Sequence, residues 1–316
     1  MEDKLCFVQF PHPGGEHKPD RPSGKSWNRG EHKRTFVKNR GRYLGHPGDT
    51  PQEDDLVFWC EWEPEAEVVQ AIDEPLPHGP RHVFEPYYVL PTSYQGLQNT
   101  DPFVFGDHFY YTWCKQKMNH GRSSTQLTRL DFGSVILFGS RVDWTFALDT
   151  VFVVERWIDH CRPNYKKVLK GQIPQAYADI TIAPGYQEPF PGSKVCGSGQ
   201  VDPDEEDNNC GPGPLPNRLY FGAMYDKPCE GMFSFFPCQP YNPERPGFER
   251  PRIKLDGIIR DLMTMSFRRN PQPSLGESKK LWDTVVQQVL HDDKNQGLRL
   301  GVWTAIPEQR RPAGNT

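Results

Sequence analysis

Short apolar runs, cut at brief intervals by glycine, proline and aspartate, set the pattern of this chain. The opening run, residues 4–10, ends in Phe7-Val8-Gln9-Phe10 and leads into the turn Pro11-His12-Pro13-Gly14-Gly15, which predicts a strand entering a glycine turn. Leu56 to Trp62 reads as a strand, and Glu67 to Ile72 as its partner across a turn at Glu63-Pro64-Glu65. His82 to Leu90 follows, then Pro102 to Phe105 and Phe109 to Trp113 as a hairpin about Gly106-Asp107. Gln126 to Leu130, Val135 to Phe138, Thr145 to Val154, Arg218 to Ala223 and Met232 to Phe236 continue the β pattern, and Arg252 to Leu255 reads as a short edge.

Helical spacing is scarce. Leu281, Trp282, Val285, Val286, Val289 and Leu290 fall on one face and predict a helix near 277–291. A helix is marginal over 31–39, and one over 159–170 is interrupted near Pro163. The 32 prolines and 28 glycines of the 316 residues account for this scarcity, since proline removes a backbone donor and clashes with the preceding turn. The 39 aromatic residues nevertheless supply enough buried area for a folded core. The expected fold class is therefore α+β and β-rich: a bent sheet or small barrel with long Pro/Gly-rich loops and a C-terminal helix. Length and pattern divide the chain into a β-rich unit at 1–155 and a loop-rich extension at 156–316 that completes the sheet.

Charge changes the picture locally. Nine lysines and arginines stand against three acids between Glu16 and Arg42, within a chain of net charge −4. A cationic segment on an acidic protein points to an anionic ligand, most often phosphate. Asp49 to Glu74 has the opposite polarity, with ten acids and no lysine or arginine, so the two segments are also able to neutralise each other. The acidic run at 202–207 sits in a Gly/Pro-rich stretch; it lacks the ligand spacing of a calcium loop and would suit a basic protein partner.

Eight cysteines contain no C-x-x-C pair, the N-terminal residues carry no long apolar core, and no stretch reaches membrane-span length. These features lead to the expectation of a cytoplasmic protein with reduced thiols, no membrane association and no metal site. Phosphate-loop, dinucleotide-fingerprint, zinc-protease and nucleophile-elbow motifs are missing from the sequence. Nothing in it names a cofactor.

Three clusters carry candidate chemistry. The first holds His12, His17, Trp27, Asn28, Arg29, His32, Arg34, Arg40, Arg42 and Tyr43. Arginine makes paired bonds to phosphate, Trp27 or Tyr43 offers a stacking face, and His12 or His32 with Arg29 is a candidate acid or base system. The second runs from Asn99 and Asp101 to Tyr110, Tyr111 and Cys114, where an amide reads a base edge and a tyrosine holds its face. Turn chemistry and core packing explain the same residues, and Cys114 is a nucleophile lacking an assigned base. The third is Gly139-Ser140-Arg141 with Asp149, a carboxylate inside an apolar run that is costly unless paired or used.

Asp54 to Trp59 with Glu67-Val68-Val69, and Gly133 to Gly139 with Asp149 to Val154, resemble strands of PUA, ASCH and EVE-like barrels. The Phe10-Pro11-His12-Pro13-Gly14-Gly15 opening and the Phe58-Trp59 to Glu63-Pro64 segment are similar to bacterial nucleotide-modification-associated domain proteins. These resemblances imply recognition of a nucleic acid or nucleotide, including modified bases, in a bacterial DNA-modification or defence setting. The alternatives are an enzyme acting on a nucleotide, by base processing or ADP-ribosyl transfer, and a protein-interaction module.

Overall fold

A computed structural model describes residues 2–12, 15–19, 33–90, 100–118, 123–187, 216–255, 266–268, 273–294 and 297–311. The strands of the first half are β1 (Phe7–His12), β2 (Thr35–Leu44), β3 (Gln52–Cys60), β4 (Ala66–Ala71), β5 (His82–Val89), β6 (Tyr110–Tyr111), β7 (Lys117–Met118), β8 (Ser123–Ser124), β9 (Val135–Val142) and β10 (Thr145–His160). Those of the second half are β11 (Asn217–Gly222), β12 (Phe236–Pro240), β13 (Ser266–Arg268), β14 (Arg299–Thr304) and β15 (Glu308–Arg310). The α-helices are α1 (Tyr165–Val168), α2 (Gln175–Tyr177), α3 (Ala183–Gln187) and α4 (Leu275–Leu290); a 3₁₀ turn at Gln126–Thr128 stands where a strand was expected, and a π-helical turn spans Ala178–Ile182.

The chain is a β-rich α+β protein built on a closed four-stranded barrel. β2 pairs antiparallel with β3 and β14, β12 pairs with both β3 and β14, and the ring closes. So small a ring leaves little interior. A Cβ on Gly301 would come within 2.1 Å of the Phe236 ring, so glycine is the residue that fits there. β5 continues the sheet from β2, flanked by β4 and β15. A second sheet runs β13-β1-β9-β10-β11-β6, with β1 parallel to β9 and every other pair antiparallel. Strands from residues 1–155 and from 156–316 are interleaved in both sheets.

The apolar runs are continuous because several strands bury both faces. Val8, Phe58, Ile136, Phe138 and Phe152 enter one core, while Phe7, Val57, Trp59, Val135, Leu137 and Val151 enter the other. α4 covers the second core with Leu281, Trp282, Val285, Val286 and Val289. Its start is fixed by a capping box, in which Ser274 accepts from the Glu277 N–H and Glu277 accepts from the Ser274 N–H. The Trp282 indole donates to the Phe233 carbonyl at 3.0 Å, with the rings of Phe233 and Phe235 set edge-on to it. No helix among the described residues is long and apolar enough to cross a membrane.

Several sequence expectations change. Much of the 31–39 stretch is strand, because Thr35, Phe36 and Val37 pair with Cys60, Trp59 and Phe58. Residues 159–160 extend β10, leaving only Tyr165–Val168 helical in the region before Lys170. β4 pairs with β5, not with β3, whose two edges are already taken by β2 and β12. Arg252 makes only an isolated bridge to Ala147. Cys161 is disulfide-bonded, against the expectation of thiols throughout, whereas Cys60, Cys229 and Cys238 are free.

Two substitutions test the role of α4. Trp282→Ala should lose about 3–5 kcal/mol in urea unfolding, from lost transfer energy and the cavity left behind. Ser274→Ala should lose only about 1 kcal/mol, the usual worth of an N-cap.

A candidate thiol centre beside a buried arginine

Where the barrel meets the second sheet, a charged cluster lies in the interior. His12 ends β1 opposite Ser140 of β9 in parallel register, and Arg34 immediately precedes β2. Glu61 follows β3 directly. Between Leu148 and Thr150 the β10 register against β9 shifts, so Asp149 is the extra residue of a bulge. Such a bulge re-aims a side chain, which explains an acid buried within an apolar strand.

Arg34 is 1% exposed and bridges both acids. Its Nε donates to Asp149 Oδ2 at 2.8 Å, and its Nη1 lies 2.9 Å from Glu61 Oε2. Its Nη2 hydrogen-bonds His12 Nδ1, which in turn lies 3.3 Å from Glu61 Oε2. Ser140 Oγ donates to Asp149 Oδ2 at 3.0 Å. Arg250 approaches Asp149 Oδ1 at 3.7 Å, with its guanidinium 4.6 Å from the centre of the Trp59 ring. Burial alone would lower the Arg34 pKa, but Glu61 and Asp149 reverse the sign and hold the guanidinium charged. Arg250 is shifted down by burial, with only partial compensation from Asp149.

Cys114 approaches this centre from the loop after β6. Asp101 holds that loop: its carboxylate accepts from the N–H groups of Thr112 (2.9 Å), Trp113 (2.7 Å) and Cys114 (2.9 Å) and from the Tyr177 hydroxyl (3.3 Å). Burial pushes the Asp101 carboxyl up to about 6 against the lowering effect of these donors. Functional atoms of His12, Glu61 and Cys114 all lie within 4.8 Å of one another. Nitrogen, oxygen and sulfur donors so placed match a metal site in kind, but Arg34 already puts a permanent positive charge against Glu61 and His12. The set is therefore better matched to a thiol, a base and an orienting acid. Cys60 lies nearby, but burial pushes its thiol well up, which favours an inert residue.

The structure thus joins His12, Arg34 and Asp149, drawn from different sequence clusters, and adds Cys114. Glu61 and Arg250 escaped the sequence reading. The signal for Glu61 was the one that marked Asp149, a lone acid in an apolar run. Tyr110 and Tyr111 are core residues, 3% and 0% exposed, and correct the expectation of a base-stacking face. Tyr110 packs on Tyr177 and Phe221, and Tyr111 on Phe138 and Tyr220. Asp101 is a loop clamp with no free edge for a base. His17 sets its ring edge-on to Phe84, with its pKa lowered first by burial.

Arg42 and Tyr43 lie at the far end of β2, about 26 Å along the strand from Arg34 at roughly 3.3 Å per residue. There Arg40 and Arg42 bind Glu53, and Lys38 binds Asp55, so the cationic and acidic segments do neutralise each other. Tyr43 donates to Gln52. Trp27, Asn28, Arg29, His32, Asn99 and the acidic run at 202–207 lie outside the described residues.

A second polar group backs the Cys114 loop. His160 is fully buried, with Nε2 at 2.8 Å from Thr112 Oγ1 and Nδ1 at 2.5 Å from the Tyr186 hydroxyl. Burial pulls its pKa down to about 3. Comparisons with protein-family models, curated proteins and solved structures give no match.

Arg34→Met should cost about 3–5 kcal/mol at neutral pH, because it strands two buried carboxylates. The deficit is read by denaturant unfolding at neutral pH. His160 gives a pH signature. Below the ordinary histidine value of 6.5 the unfolded chain takes up a proton that the native site refuses down to about 3. Stability should fall by about 1.4 kcal/mol per pH unit across that window from this residue. His160→Gln should flatten the stability curve there by about one proton.

Proposed function

We propose that this protein processes the base of a nucleotide, free or within a nucleic acid, with Cys114 as nucleophile. The convergence of His12, Glu61 and Cys114 within 4.8 Å, beside Arg34, carries this reading. In it the thiol proton passes to His12 Nδ1, the nitrogen that gives up its hydrogen bond from Arg34 Nη2, and Glu61 accepts from the resulting imidazolium Nδ1–H. The Arg34 charge favours the thiolate, since the two groups are close enough to interact electrostatically. The thiolate then adds to an electrophilic carbon of the base, a ring π bond breaks, and its electron pair, carried to the neighbouring ring atom, takes the proton held on His12. The resemblance to nucleotide-modification-associated proteins supplies the nucleotide part of the reading, in a bacterial DNA-modification or defence setting.

Recognition of a base without turnover is the second reading. Two guanidiniums against two carboxylates form a balanced set that stands as structure without chemistry.

Mass spectrometry of nucleotides and oligonucleotides incubated with the protein separates the two. Cys114→Ser and His12→Ala should each slow base conversion by about 10²–10⁴-fold while leaving binding in place. Conversion by Cys114→Ser at the parent rate would sink the thiol mechanism. Binding without conversion by the parent would establish the second reading.

A further inference from the structure

The strands that bear Ser140 and Asp149 continue outward to a hairpin tip of unusual composition. Val142 pairs with Thr145, so Asp143 and Trp144 form a two-residue loop. Both have positive φ, 46° and 59°, the twist that such hairpins demand and that asparagine and glycine ordinarily supply. A tryptophan in this conformation is strained, and it is also 84% exposed. Neither backbone preference nor the hydrophobic effect accounts for it. Strain held at an exposed position is an observation from which function is inferred.

The surroundings hold this tip in place. Arg252 Nη1 donates to the Val142 carbonyl and contacts Thr145 Oγ1, and His78 Nε2 lies 2.5 Å from Asp143 Oδ2. The side chain of Trp144 is thus presented on a braced turn, a geometry that lowers the ordering cost of binding.

Cations lead from the tip to the buried centre. The segment around Arg252 runs antiparallel beside β10, with Leu148 N bonded to the Pro251 carbonyl and Ile253 N to the Phe146 carbonyl. Alternate residues of it are Arg250, at Asp149; Arg252, at the tip; and Lys254, exposed. Arg141 is exposed on β9 next to the turn. From Asp149 to Thr145 is about 13 Å of strand, at roughly 3.3 Å per residue.

From this arrangement we propose that Trp144 is a stacking platform for single-stranded nucleic acid, with Arg141 and Lys254 contacting its phosphates. The proposal deepens the nucleotide reading, because it makes the substrate a polynucleotide longer than the base held at Cys114. A base stacked on an exposed aromatic ring beside cations is the usual means of sequence-tolerant single-strand binding.

Binding of fluorescent oligo(dT) and oligo(U) of increasing length to the full chain, across a salt series, tests this. Trp144→Gly should weaken binding of the longer oligonucleotides by about 5- to 150-fold, the equivalent of one lost stacking contact. Its melting temperature should be unchanged or higher, because glycine suits the positive φ. Trp144→Phe should keep most of the affinity, and Arg141→Ala with Lys254→Ala should flatten the salt dependence. A preference for one sugar assigns the platform to DNA or RNA.

Parent-like affinity in folded Trp144→Gly overturns the proposal, as does a parent that binds no oligonucleotide. A loss confined to binding of anionic phospholipid vesicles also overturns it, in favour of a membrane surface. The rate of Cys114 alkylation by iodoacetamide in the same variants should match the parent, so failure of the platform and failure of the thiol centre are read separately.

Discussion

The bridge from Arg34 to Glu61 and Asp149 is the interaction on which the rest of the site depends. Arg34 and Glu61 belong to the ends of barrel strands, while Asp149 and His12 belong to the second sheet. One guanidinium therefore ties the two halves of the fold together. A charge in this interior is tolerable only because partners reach it from both sides, since desolvation of a lone ion costs more than any single contact returns. The same constraint fixes where His12 sits, between the guanidinium and Glu61.

The β9–β10 pair puts two devices on one rigid element. Its bulge turns Asp149 inward to Arg34, and its tight turn presents Trp144 outward. Cys114 comes from a different part of the structure, on a loop held by three N–H bonds to Asp101. Sites on braced strands and clamped loops hold their geometry better than sites on unsupported loops. His160 and Tyr186 continue that support behind Thr112.

Much of the fold could be read from residue pattern. The face formed by Leu281, Trp282, Val285, Val286 and Val289 located α4, and most of the β elements fell where apolar runs were bounded by turn residues. Pairing was harder. Val68 and Val69 looked like the partner of Leu56 to Trp62 because they follow it closely, yet β3 has both edges occupied by strands, one of them from residues 236–240. Local sequence carries no information about which distant strand will claim an edge. Two-sided burial also hid the helix–strand distinction near residue 35, where alternation is lost.

For the site, the chain by itself determined most of the ingredients: an imidazole at His12, a guanidinium at Arg34, a thiol at Cys114 and an acid, Asp149, placed at a cost inside an apolar run. It also allowed the cationic and acidic segments to neutralise each other, which Lys38, Arg40 and Arg42 do once β2 pairs with β3. Tertiary structure alone decided that Tyr110 and Tyr111 face the core, and that Cys114 meets a histidine about a hundred residues away. It also decided that Asp149 points at Arg34, through a bulge that adds one residue to one strand. The reason is physical. Residue type sets what a group can do, while register, closure of the barrel and the sharing of scarce buried charge set which groups meet.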